Sequence, residues 1–95
     1  MADREMLMVF CYDIARANTR NRVADLLEAA AVRVQDSVFE TRLSRAAADR
    51  LFQHIVDVLD QGDLLRMYAI GAAGLDRCRA HGGMPMSSDN GFWIV

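Results

Sequence analysis

Seven consecutive apolar residues, Met6 to Tyr12, end at Asp13, and the nine acid-free residues that follow supply Arg16, Arg20 and Arg22. A run without polar alternation reads as a strand covered on both faces and therefore central in its sheet. We assign this first strand to residues 6–14. Its carboxyl end carries one carboxylate beside several guanidinium groups, the residue types that a phosphodiester site requires.

The hydrophobic periodicity downstream of this strand yields a short list of elements. Val23, Leu26, Leu27 and Ala30 recur at helical spacing, with Asn18 or Thr19 available as an N-cap. Arg20 and Arg22 fall in the first turn of that helix, where the helix dipole disfavours cations, so an anion nearby would relieve the mismatch. From Val32 to Leu43 the pattern is extended but changes parity. Val32, Val34 and Val38 share one face, whereas Phe39, Thr41 and Leu43 share the other, which calls for a bulge or tight bend near Asp36, Ser37 and Val38. Ser44 then caps a second helix with the apolar stripe Ala48, Leu51, Phe52, Ile55 and Leu59, stopped at Gly62. Leu64 to Ile70 reads as a strand, Leu75 to His81 as one or two helical turns in a glycine-punctuated segment, and Phe92 to Val95 as a last short strand.

The resulting order is βαββαβ with one additional C-terminal strand. Two helices on one face of an antiparallel sheet make this an α+β, ferredoxin-like sandwich. A chain of 95 residues supports one such domain, spanning 1–95, and so small a core gains from burying further surface in an oligomer.

All eleven basic residues are arginine, and with thirteen acids the formal net charge is −2, which argues against nonspecific nucleic-acid binding by charge alone. Arginine nevertheless forms the planar, bidentate phosphate contacts that lysine does not. The two cysteines, Cys11 and Cys78, form no disulfide framework, and a seven-residue apolar run is too short to span a bilayer, so we expect a cytoplasmic protein without membrane contact.

Several residues are candidates for chemistry. Asp13 would be fixed by its strand yet reach solvent. A single carboxylate is a poor Mg²⁺ site alone, so a twofold axis that pairs two copies of Asp13 would complete it. The same residue type also caps turns, which is the alternative role. Arg16, Arg20, Arg22 and Arg33 either grip phosphates or form a solvated face. Tyr12 points to the opposite face from Asp13, as a packing residue with its hydroxyl at the site edge. His54 and His81 have no partner that spacing identifies.

The stretch Val9-Phe10-Cys11-Tyr12-Asp13-Ile14, followed by Arg20-Asn21-Arg22-Val23 and then by Arg33-Val34-Gln35-Asp36-Ser37-Val38-Phe39-Glu40, resembles the small CRISPR-associated protein that accompanies the spacer integrase. The resemblance covers nearly the whole chain. Arg66-Met67-Tyr68 and Gly82-Gly83-Met84-Pro85 extend it. It implies a ferredoxin-like homodimer that acts in spacer acquisition, bridges integrase dimers and positions double-stranded DNA. It further implies a nuclease dependent on Mg²⁺ or another divalent cation, acting on DNA or single-stranded RNA. The family's metal-binding aspartate falls on Asp13, its neighbouring tyrosine on Tyr12, its helix-start arginines on Arg20 and Arg22, its bend serine on Ser37 and its following phenylalanine on Phe39. A toxin-like endoribonuclease and a non-enzymatic ferredoxin-like regulatory module are the competing functions.

Overall fold

The computed structural model describes residues 4–83. Its elements are β1 (Met6–Asp13), α1 (Ala17–Glu28), β2 (Val32–Gln35), β3 (Val38–Leu43), α2 (Arg45–Val56), β4 (Leu64–Ile70), a 3-10 turn (Leu75–Arg77) and β5 (Arg79–His81). They form one antiparallel sheet in the order β2-β3-β1-β4-β5, the ferredoxin-like arrangement with one strand added beyond β4. The sequence places the additional strand at Phe92–Val95, which lies outside the described residues; the strand seen here is β5, where helical turns are expected. Of those turns only Leu75–Arg77 forms.

β1 is central, as its unbroken apolar run predicts, but it is covered on one face among the described residues. Met8, Phe10 and Tyr12 are buried, whereas Leu7, Val9 and Cys11 are half-buried and Asp13 is exposed. The core gathers Met8, Phe10, Tyr12, Phe39, Leu65 and Met67 from the sheet with Val23 and Leu27 from α1 and Ala48, Phe52 and Ile55 from α2. The other sheet face presents Leu7, Val9 and Cys11 beside Val38 on β3 and Arg66, Tyr68 and Ile70 on β4. A strand can thus be apolar throughout while only half of it lies in the domain's own core.

The helix ends differ from expectation in instructive ways. α1 starts before Asn18 and Thr19, with Arg16 at the N-cap and no side-chain cap bond, and Thr19 is buried inside the helix. Ala30 lies beyond its end and is exposed. Ser44 caps α2 as predicted, its hydroxyl accepting the Ala47 N–H at 3.2 Å. α2 stops at Val56 rather than at Gly62. Its last carbonyls are taken by tightened bonds from Val58 N–H to Ile55 (3.0 Å) and from Leu59 N–H to Val56 (3.1 Å). Gly62, at φ +90°, serves the later turn into β4, a conformation that favours glycine.

The parity change in residues 32–43 has two parts. Asp36 and Ser37 make a tight turn between β2 and β3, and the β2–β3 register shifts between Arg33 and Gln35. This puts Phe39 fully in the core and leaves Val32 and Val34 exposed on the edge strand.

Candidate active site at the end of the central strand

The β2–β3 turn folds back against the end of β1. Tyr12 N–H donates to the Ser37 carbonyl at 3.2 Å, and the Tyr12 hydroxyl donates to the Asp36 carbonyl at 3.3 Å. Beneath the turn, the Tyr12 and Phe39 rings stack with centroids 6.3 Å apart and planes inclined by 27°. The Arg33 guanidinium lies over the Phe39 ring at 5.1 Å. Opposite stands the first turn of α1, whose Arg20 turns back to donate to the carbonyls of Ile14 (3.1 Å) and Ala15 (3.4 Å).

Between these walls opens a cleft of about 460 Å³, lined by Tyr12, Asp13, Arg20, Asn21, Arg33, Asp36 and Ser37, with Ile14 and Ala24 at its base. Of the residues singled out in the sequence, Asp13, Tyr12, Arg20, Arg33 and Ser37 therefore meet in one place, with Phe39 supporting them from below. Arg16 and Arg22 do not line it. Arg16 is paired with Asp60 at 3.2 Å, and Arg22 faces a second groove between the helices, beside Asp25, His54 and Asp57. Arg20 and Arg22 are only two positions apart, but two residues along a helix turn the side chain to the opposite side.

Asp36 is the residue that sequence reasoning placed only at a bend. It is 23 positions from Asp13, and only the tight turn brings it to the same cleft; no periodicity could signal that. Two carboxylates and two guanidinium groups thus line one opening. The Arg33 partner outside the cleft is Glu28 at 3.6 Å, and both side chains are substantially exposed, so this pair holds Arg33 weakly. Among the described residues no three His, Cys, Asp or Glu side chains gather closely enough to hold a metal ion by themselves.

Burial pushes the Tyr12 phenol above its ordinary value near 10.0, while the Arg33 and Arg20 guanidiniums pull it down less strongly. Tyr12 is accordingly a neutral hydrogen-bond donor at physiological pH and not a base. Burial likewise raises the Cys11 thiol against the opposing charge of Arg66, which leaves it poorly nucleophilic.

The family model for CRISPR associated protein Cas2 matches residues 6–78, the segment from the first residue of β1 to just before β5. The chain belongs to the Cas2 family. A Synechocystis sp. protein named CRISPR-associated endoribonuclease Cas2 3 is 34% identical over 90 residues, covering 94% of this chain and 98% of the relative. A Chloroflexus aurantiacus protein named CRISPR-associated endoribonuclease Cas2 1 is 31% identical over 93 residues, covering 95% and 100%. Among solved structures, a hypothetical protein from Thermus thermophilus superposes with a TM-score of 0.67 at 35% identity, covering 72% of this chain and 84% of that one. Streptococcus pyogenes Cas2 gives a TM-score of 0.64 at 26% identity, covering 72% and 89%. The Cas2-family match takes in every residue that lines the cleft. No helix among the described residues of this Cas2-family chain is long and apolar enough to cross a membrane.

Proposed function

We propose that this Cas2-family chain is a homodimeric subunit of CRISPR spacer acquisition that bridges the integrase and positions double-stranded DNA, and that its cleft is a divalent-cation-dependent endonuclease site. The observation that carries the reading is the convergence of Asp13, Asp36, Arg20 and Arg33 on one open cleft. Cleavage of RNA is favoured over cleavage of DNA by the names of the curated relatives, each a CRISPR-associated endoribonuclease.

The open sheet face supports the dimer. Asp13 has the same parity as Leu7, Val9 and Cys11, so a second copy that covers these apolar side chains would also meet Asp13. The donor chemistry fits a hard cation: carboxylate oxygens from Asp13, with Asp36 or the second copy's Asp13, leave positions for water and phosphate oxygens. Such a cation would supply an activated water and neutralise charge on the phosphate. The chain's own groups do the rest. Arg20 and Arg33 hold phosphate oxygens: Arg20 bonds the Ile14 and Ala15 carbonyls through one terminal nitrogen and keeps the rest of its guanidinium fork for phosphate, and the exposed Glu28 carboxylate beside Arg33 is one that a phosphate can replace. Tyr12 donates its hydroxyl proton in a fixed direction, and the stacked Phe39 keeps the ring from turning.

The test compares wild type with Asp13→Asn on labelled single-stranded RNA and duplex DNA, with and without Mg²⁺, and in spacer integration reconstituted with the integrase. The reading expects loss of Mg²⁺-dependent RNA cleavage with integration intact. Cleavage at the wild-type rate in Asp13→Asn excludes Asp13, and integration that proceeds equally without this protein excludes the bridging role.

A further inference from the structure

The turn that carries Asp13 into α1, residues 14–16, is tied by its own helix at its carbonyls, through Arg20, but not on its N–H side. It contains neither glycine nor proline, the N-cap of α1 is Arg16 without a side-chain cap bond, and no acid stands in the first turn of the helix. The N–H side is anchored instead from the loop between α2 and β4, more than 40 residues away. Asp63, only 4% exposed, accepts the Ala15 N–H on one carboxylate oxygen at 3.3 Å and the Asp60 N–H on the other at 2.9 Å. Asp60 in turn accepts the Thr19 hydroxyl at 2.7 Å and the Arg16 guanidinium at 3.2 Å. Both carboxylates thereby sit at the N-terminal end of α1, where negative charge complements the helix dipole that the helix's own sequence leaves uncompensated.

We infer that Asp60 and Asp63 are positioning residues for the cleft. The backbone atom gripped by Asp63 is two residues from Asp13, and the helical turn gripped by Asp60 through Thr19 is the one that carries Arg20. Arg20 closes the frame from inside by donating to Ile14 and Ala15. A buried carboxylate with both oxygens occupied by backbone N–H groups resists displacement, because breaking either bond strands a polar group away from water. Without this clasp, Asp13 and Arg20 would hang on a turn free to shift by about an ångström, a displacement on the order of 100-fold in rate for a reaction that depends on alignment.

The inference rests on the cleft being the phosphodiester site, and the experiment separates the two. Kinetics on single-stranded RNA are measured for the full chain, Asp63→Ala, Thr19→Val and Thr19→Ser, together with hydrogen exchange at the Ala15 amide. Thr19→Val keeps the buried shape and loses the donor, and Thr19→Ser restores the donor. The expected result is a roughly 10- to 100-fold lower kcat in Asp63→Ala and Thr19→Val, with KM raised no further than Arg20→Ala raises it, recovery in Thr19→Ser, and faster Ala15 exchange in Asp63→Ala. Should Asp63→Ala not fold, the two Thr19 variants decide. Unchanged kcat in Thr19→Val, beside an active wild type, overturns the positioning role. If wild type and Asp13→Asn are equally inert on RNA, the nuclease reading has failed. The clasp is then judged by RNA affinity: a loss in Thr19→Val matching that of Arg20→Ala upholds it, and unchanged affinity overturns it.

Discussion

The backbone N–H of Tyr12 donates to the carbonyl of Ser37 at 3.2 Å, across 25 positions of sequence. This bond seals the end of β1 to the β2–β3 turn and so determines which side chains can surround Asp13. From it follow the cleft and the chemistry that the cleft permits.

Arg20 and Arg33 line the cleft and Arg22 does not, so the three should differ in nucleic-acid binding. In fluorescence titrations at several salt concentrations, Arg20→Ala and Arg33→Ala should each weaken RNA binding. Each should also reduce the slope of log affinity against log salt by about 0.7, the value for one phosphate contact on a single strand. Arg22→Ala should leave both nearly unchanged. Equal effects from all three would place the phosphates elsewhere.

Tyr12 should ionise later than an ordinary tyrosine, because its phenol is raised in the folded state by burial. Absorbance at alkaline pH should show Tyr12 titrating above 10 until the protein unfolds. The sign for stability follows. Above the unfolded-state value near 10 the unfolded chain loses the proton first, so the contribution is fully present below that pH and is lost as pH rises through the folded value. Tyr12→Phe should flatten this alkaline loss, and denaturant melts from pH 8 to 11 would measure it.

Phe39 is fully buried, stacks on Tyr12 and carries Arg33 over its ring. Phe39→Ala should cost about 3 to 5 kcal/mol from lost burial and the cavity left behind. Phe39→Leu should cost much less in stability and still loosen Arg33. Chemical denaturation gives the first quantity, and the RNA affinity of Phe39→Leu gives the second.

Val9 lies in the middle of the half-buried sheet face, opposite Glu40 on one side and Tyr68 on the other. If a second copy covers this face, Val9→Asp should place an unpaired charge in the interface and shift the protein to monomer in sedimentation velocity. A wild-type protein already monomeric at micromolar concentration would remove the basis for a shared Asp13 site.

Local pattern alone determined much of this protein. The uninterrupted apolar run placed β1 at the sheet's centre, the Ser44 signal located the start of α2, and the parity change in residues 32–43 marked the bend that became the Asp36–Ser37 turn. These are short-range effects: side-chain periodicity and capping chemistry act within a few residues, so they are written where they act. The family motif, likewise, was contiguous enough to read. Only the tertiary structure decided that Asp36 shares a cleft with Asp13, that half of β1 faces outward, and that Asp60 and Asp63 clasp the turn after β1. Each of those depends on contacts between segments more than 20 residues apart or on the exact end of a helix. Such contacts are set by how the sheet and helices pack, which no local spacing encodes.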